Sequence, residues 1–357
     1  MASYLLNDAA LYVSKRPEGT FNENDTSGSD FLKSSSDQPV VVLPQAEMVT
    51  NAGKPGNGHE FATYHCVTYT THPGVTITDD VNFELAGRLL LRSLGGTVTA
   101  TQQGATVAYK HTCNMLPVAS GRQLPSMNVI SELGGITFRM PGHVVQSYTL
   151  SQTRADRPRF SCELVGSGKF TTPHGVSSLP ATATITNCLD GNSSQVQWTD
   201  IAGTEDFTSS SCRLRSWSVS VNNNIKLNDR CPGDSENSVT LDAVTETPAY
   251  VRQMLRGSRT VSAQIVITLD STITEWSQHM VGEVVTDVIF RARGPVIASS
   301  YRYTLGYTMP KAVIRAITPG EDDGDAILTI DLEPQYDSTS GGALTGECTN
   351  ITTSNFD

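Results

Sequence analysis

The 357-residue sequence predicts a mainly β fold: an antiparallel β-sandwich, barrel-forming subunit with two pseudo-duplicated halves, a few short helices, and long loops and arms. Three observations predict it. Charged residues are only 17% of the chain, while Ser, Thr, Val and Gly are abundant, a composition that favours strands over helices. Polar and apolar residues alternate in several segments, which is the period of a half-buried strand. Two of these segments, "VVQSYTLSQ" and "RLRSWSVSVNNNI", repeat one pattern of Ser, aromatic, then alternating hydroxyl and aliphatic residues.

Residues 1–60 are rich in Gly, Asn, Ser and Pro ("EGTFNENDTSGSD", "NAGKPGNGHE") and are expected to form an extended arm with little structure of its own. In "DDVNFELAGRLLLRSL" (79–94), Phe83, Leu85, Leu89, Leu90 and Leu94 fall near helical spacing. Asp79 or Asp80 is placed to cap that helix, and Gly95-Gly96 to stop it. "TVTATQQGATVAYKH" reads as a hairpin turning near Gly104.

"GGITFRMPGHVVQSYTLSQ" and "RPRFSCELVGSG" bracket the polar turn "TRADRP". On the first arm Val144, Tyr148 and Leu150 share one face, with Ser147, Thr149 and Ser151 on the other. On the return arm Phe160, Cys162 and Leu164 oppose Ser161 and Glu163. Residues 171–211 form the junction between halves of about 61–170 and 212–337, with a short strand at "ATATITNCL".

In the second half Trp217, Val219 and Val221 oppose Ser216, Ser218 and Ser220, and the return arm sets Val261, Ala263 and Ile265 against Ser262 and Gln264. Between these arms lies residues 226–258, too long for a tight hairpin. "STITEWSQHMVG" reads as a short helix capped by Ser271 or Thr272. Strands follow at "VVTDVIFRA", "YRYTLGYTMPKAVIRAI" and "DAILTIDLEPQYD", and 338–357 is a polar, peripheral tail. Trp217, Tyr148 and Trp276 are assigned to the core.

The polar face carries small uncharged hydroxyls, where exposed strands usually carry Lys and Glu to deter edge pairing. Such a face suits the wall of a water-filled passage, closed when copies join edge to edge around a ring. Net charge is −11, so the surface repels phosphate, and any contact with DNA is expected to be non-adhesive. The N-terminus has neither a signal-peptide pattern nor a transmembrane stretch. Seven scattered cysteines without a Cys-x-x-Cys pair read as reduced thiols.

Chemical motifs are weak. His111-x-Cys113 and His65-Cys66 lack further ligands at zinc spacing, so no metal is expected. "EDDGDAILTIDLE" places Ile330 where a calcium loop needs its bidentate Glu, and reads instead as a solvated turn. "GSGK" lacks the glycine of a phosphate loop, and no hydrolase signature occurs. No cofactor and no catalysis are expected.

In order along residues 80–337, the chain carries "LLLRSLGG", "YKH", "LPSMNVISELGGITFRMPGHVVQSYTLS…FSCELVGSGK", "LRSWSVSVNNNI", "RTVSAQIVITLD", "TEWSQHMVG" and "YTMPKAVIRAITPGEDDGDAILTIDLEPQYD". This series resembles the tail tube (major tail) proteins of long, non-contractile-tailed bacteriophages. The resemblance implies a structural virion protein, made and assembled in the host bacterial cytoplasm, whose hexameric rings stack helically. It implies a tape-measure protein in the lumen, tail terminator and distal tail proteins as neighbours, and later passage of DNA without specific binding. Lumen-facing candidates are Ser147, Thr149, Glu163, Ser216, Ser218 and Gln264. The 226–258 segment matches the inter-ring loop, with Asn228, Asp229, Arg230, Asp234 and Glu236 as contact candidates. The alternative is a carbohydrate-binding or adhesin-type β-sandwich module decorating a virion. A hydrolase on a β-scaffold is the other rival.

Overall fold

A computed structural model describes residues 9–21, 30–34, 46–51, 64–70, 74–154, 156–171, 175–176, 178–183, 194–200, 203–208, 213–226, 254–269 and 274–353. Among them the strands are β1 (Ala9–Ser14), β2 (Phe31–Lys33), β3 (Ala46–Asn51), β4 (Tyr64–Thr70), β5 (Gly74–Asp80), β6 (Val98–Gln102), β7 (Tyr109–Asn114), β8 (Met127–Leu133), β9 (Ile136–Thr153) and β10 (Arg159–Val165). They continue with β11 (Ser194–Asp200), β12 (Gly203–Asp206), β13 (Leu214–Asn222), β14 (Ile225–Lys226), β15 (Leu255–Arg256), β16 (Thr260–Thr268), β17 (Val284–Ala298), β18 (Tyr301–Asp322), β19 (Asp325–Pro334) and β20 (Thr345–Asn350). The α-helices are α1 (Leu85–Leu94) and α2 (Thr274–Val281).

Sixteen of these strands form one continuous antiparallel ladder folded into two layers. The first layer runs β5-β10-β9-β13-β16-β19-β18, and the second β6-β7-β20-β18-β17-β11-β12. Strand β18 belongs to both: residues 301–313 pair with β17, and residues 312–322 pair with β19. A side branch extends the first half of β9 through β8 to β1 and β2.

The two expected hairpins exist and lie side by side in one chain. The β9–β10 and β13–β16 pairs join along β9 and β13, with Thr149 opposite Ser220 and Ser151 opposite Ser218. An antiparallel β9–β13 junction relates the two hairpins by a local two-fold, the arrangement that a duplicated hairpin adopts when its copies pair. Alternation decides which face each residue occupies, because one buried face fixes the register. Tyr148, Leu150, Phe160, Cys162, Leu164, Trp217, Val219 and Ile265 all point into the core.

Between the layers, Trp217 of β13 meets Phe290 of β17 with ring centroids 5.8 Å apart. Helix α1 fills the remainder of the gap and is buried along its length. Tyr148 donates its hydroxyl proton to the Ala86 carbonyl at 3.1 Å, which fixes β9 to α1. Each fully buried Leu or Phe here contributes about 1.5–3 kcal/mol of transfer free energy.

Several details differ from the sequence reading. Asp79 and Asp80 end β5 and do not cap α1; the Asn82 side-chain oxygen accepts from the Glu84 and Leu85 N–H groups at 2.9 and 3.5 Å. Gly95 does end the helix, in the left-handed conformation with φ of 69°. Val144 is buried in a separate cluster with Leu124, Val165, Ile225 and Met254. The cause is a register shift: Glu163 opposes Ser147, and the next pair is Leu164 with Val145. The extra residue, Gln146, places Val145 rather than Val144 on the core face.

Parts of the arm expected over 1–60 enter the fold. β1 pairs with β8, and β2 covers β1, burying Leu11, Tyr12, Val13, Phe31 and Leu32. Residues 46–51 form a two-stranded sheet with 64–70. The 338–357 segment is not peripheral where described. Its strand β20 lies between β18 and β7, with Gly346, Glu347, Cys348 and Asn350 buried. A Cβ at 346 would sit 2.6 Å from Leu90 and 2.7 Å from Leu94, so the glycine lets β20 lie against α1. Trp276 is 41% exposed because α2 turns Glu275 and Gln278 inward instead; Glu275 pairs with Arg213 at 2.9 Å.

Candidate assembly surface

The outward face of the first layer is built from cross-strand rows of small polar side chains. One row reads Thr78, Ser161, Thr149, Ser220 and Ser262 across five strands. Its neighbour reads Thr76, Glu163, Ser147, Asn222 and Thr260. A third reads Asp80, Arg159, Ser151, Ser218, Gln264 and Asp331. Hydroxyl neighbours bond along the rows: Thr78 with Ser161 at 3.1 Å, and Thr149 donating to Ser220 at 3.0 Å. Ser147 donates to Glu163 at 3.2 Å, and the Gln264 amide to Asp331 at 2.9 Å. Such pairs contribute about 0.2–1 kcal/mol each, and the charges of the third row pair along it, with Arg159 3.5 Å from Asp80.

The six sequence-derived face candidates are therefore brought together. Ser147, Thr149, Glu163, Ser216, Ser218 and Gln264 share the outward face of four adjacent strands. The sequence reading missed how far the face continues. Thr76 and Thr78 on β5, and Thr329 and Asp331 on β19, extend it on either side. Alternation in "GVTITDD" and "AILTIDLE" carried that signal.

Two ionic ties close one end of this face. Arg154, in the β9–β10 turn, reaches Asp322 and Asp323 in the β18–β19 turn, each at 2.6 Å. Arg154 thereby holds the Asp322 carboxyl below the usual carboxylate range. Arg215 pairs with Asp325 beside it. The acidic turn is thus a salt-bridged hairpin tip. At the opposite end, β14 and β15 form a two-stranded stem at the root of the 226–258 segment. The loop candidates Asn228, Asp229, Arg230, Asp234 and Glu236 lie outside the described residues, as does most of "ATATITNCL".

The first layer has two open edges among the described residues. β5 pairs only with β10, and residues 314–322 of β18 pair only with β19. The β18 edge contains Pro319 and the acidic turn, features that deter further pairing, whereas β5 carries neither Pro nor Lys. Apolar surface is also exposed at α2 and the start of β17, on Trp276, Met280, Val281 and Val284.

The other motifs have structural roles. His111 bonds Asn350 and the Thr352 carbonyl at 3.2 and 3.0 Å, and burial lowers its pKa. Cys113, Cys162 and Cys348 are buried free thiols, and no metal-holding cluster occurs among the described residues. Trp217 and Tyr148 are too deeply buried to stack against a sugar. No helix among the described residues is long and apolar enough to cross a membrane.

In the second layer, Glu347 is enclosed by Arg291 and Lys110. Burial by itself raises its carboxyl pKa, but the two cations outweigh burial and hold the pKa below the ordinary value. Its contribution to stability is therefore full above the unfolded pKa, about 4.3, and is lost as pH falls through the folded one. Glu347→Gln is expected to flatten the acid limb of stability. Urea midpoints measured from pH 6 to pH 3 check this; parallel curves for the two proteins would refute it.

A search of curated proteins gave no match. A family model described as "Phage tail tube protein" matches residues 68–334, a span that includes both hairpins, the crossing strand and the whole hydroxyl-bearing face. A match over that much of the chain, on a mainly β fold with two open sheet edges, places this protein in the phage tail tube family, as a structural component of the virion.

Proposed function

We propose that copies of this chain join side by side into hexameric rings, that the rings stack into the tail tube, and that the hydroxyl face of the first layer is its inner wall. The observation that carries the reading is the set of rows through Thr149 and Ser218. Five adjacent strands offer hydroxyls along the Thr149 row, and the exposed cations beside it, Arg159 and Arg315, each face a carboxylate, Asp80 at 3.5 Å and Glu333 at 4.0 Å, which weakens their hold on a phosphate. DNA then slides past a wall that neither binds it nor reads it, in a subunit whose net charge of −11 disfavours adhesion.

Ring closure uses the open edges of the first layer, which disappear when neighbouring sheets become continuous. The apolar surface of α2 supports association between copies. The 226–258 segment, rooted on the β14–β15 stem, reaches the adjacent ring. A tape-measure protein occupies the lumen during assembly, and terminator and distal tail proteins cap the ends. The subunit acts by packing and self-association, without catalysis or a cofactor.

The test is accessibility in assembled tubes. Concentrated Ser218→Cys protein is expected to form tubes visible by negative-stain microscopy. A small maleimide should label tubes and free subunits alike. A bulky polymer-linked maleimide should label free subunits at least about tenfold faster than tubes, with the native cysteines as background. Equal labelling of tubes by the bulky reagent would put Ser218 on the outside and overturn the assignment.

A further inference from the structure

The outward face of the second layer differs in kind from the hydroxyl wall. It contains a recess of about 320 Å³ in which Lys110, Arg291, Arg293 and Arg302 meet a single carboxylate, Glu347. Four clustered cations are unusual on a chain of net charge −11.

Strand register explains how the recess forms. Across β17, β18, β20 and β7, one row reads Arg293, Thr304, Thr349, Lys110. The row beside it reads Arg291, Gly306, Glu347, Thr112. In the second row the missing side chain at Gly306 lets Arg291 reach across a strand to Glu347, which Lys110 also contacts at 2.7 Å. That triad is internally paired. In the first row two small hydroxyl residues separate two cations whose backbones stand roughly 14 Å apart, three strand spacings. The floor is short and the walls are long and charged.

Among the described residues, the remaining cations, Arg293 and Arg302, touch no carboxylate. Arg293 donates to the neutral Gln195 side-chain oxygen, which Arg291 also contacts at 3.5 Å. Asp206 and Glu347 act on Arg293 only through space. Burial and the neighbouring Arg291 charge lower the Arg293 pKa, a cost that a bound anion would relieve.

We propose that this recess binds a small oxyanion of the phosphate class, seated over the Thr304 and Thr349 hydroxyls between Arg293, Arg302 and Lys110. Guanidinium groups suit such an ion because their planar N–H pairs match its oxygens; the Thr349 hydroxyl supplies a further donor, and the Thr304 hydroxyl, which donates to the Arg302 carbonyl at 3.2 Å, can turn to the ion instead. The site lies on the other layer from the hydroxyl wall.

The experiment is calorimetric titration of the purified full chain with inorganic phosphate, against chloride at equal ionic strength. Saturable phosphate binding is expected, weakened at least about tenfold by Arg293→Gln and by Arg302→Gln, the effect of losing one charge-assisted contact. Arg302 is exposed, so its substitution leaves the fold intact and keeps the test decisive. A short DNA duplex that displaces phosphate would identify a backbone phosphate as the natural source; a duplex that fails to displace it would identify a free ion. Phosphate behaving as chloride does, or undiminished binding by both variants, would overturn the proposal.

Discussion

Gly306→Ala is expected to destabilise the protein by about 3 kcal/mol or more, at or beyond the usual range for overpacking. An added Cβ would stand 2.0 Å from the Phe290 carbonyl oxygen, 2.9 Å from the Arg291 Cα and 3.0 Å from the Phe290 carbonyl carbon. All three are backbone atoms of β17, so no rotamer change relieves the clash. Shifting β17 would drag Phe290 away from Trp217, across the gap between layers. Against a total stability of about 5–15 kcal/mol, the loss is a large fraction. Gly320→Ala, farther along the same strand, is the comparator. Its Cβ would meet only Ile327 side-chain atoms at 3.4 and 3.6 Å. That change is expected to be neutral or to stabilise by about 0.5 kcal/mol, through the lower entropy of the unfolded chain. Urea midpoints at unchanged slope measure both. A Gly306→Ala midpoint equal to the native one would refute the close approach.

Trp217→Ala is expected to cost about 3–5 kcal/mol, as for other large core truncations. The indole is 2% exposed, packs on Phe290 and donates its N–H to Ser194 at 3.1 Å. The next residue should behave in the opposite way. Ser218→Ala removes a half-exposed hydroxyl from the outward face and is expected to stay within about 0.5 kcal/mol of the native protein. Two adjacent positions on one strand then differ in the direction they point as well as in the side chain removed. Equal costs at 217 and 218 would mean that β13 is not two-faced.

The hairpin faces were legible because burying one side of a ribbon imposes a period of two on the sequence, and "SWSVSV" and "SYTLS" write that period plainly. What escaped has identifiable causes. Gln146 adds one residue to β9 without disturbing the local pattern, so Val144 and Val145 exchange faces unannounced. Strand β1 pairs Ala9 with Leu133, a partner far along the chain that no local window contains. β20 is buried yet reads "TGECTN", because proximity to α1 selects a glycine where alternation would place an aliphatic residue. Trp198, fully buried against Phe207, sits in a Ser/Thr-rich stretch whose composition suggests a loop. The row from Arg293 to Lys110 gathers residues from four separate strands, which is why no motif signals it.

Strand β18 has a mechanical meaning beyond its place in the topology. Its 22 residues run unbroken from one layer into the other, so the two sheets are parts of a single covalent beam. A sandwich held only by side-chain contact can slide along its greasy midplane. Here such sliding would have to stretch or tear a main chain laddered on both sides. A load that shears one layer past the other is therefore passed through bonds, and the two layers respond together.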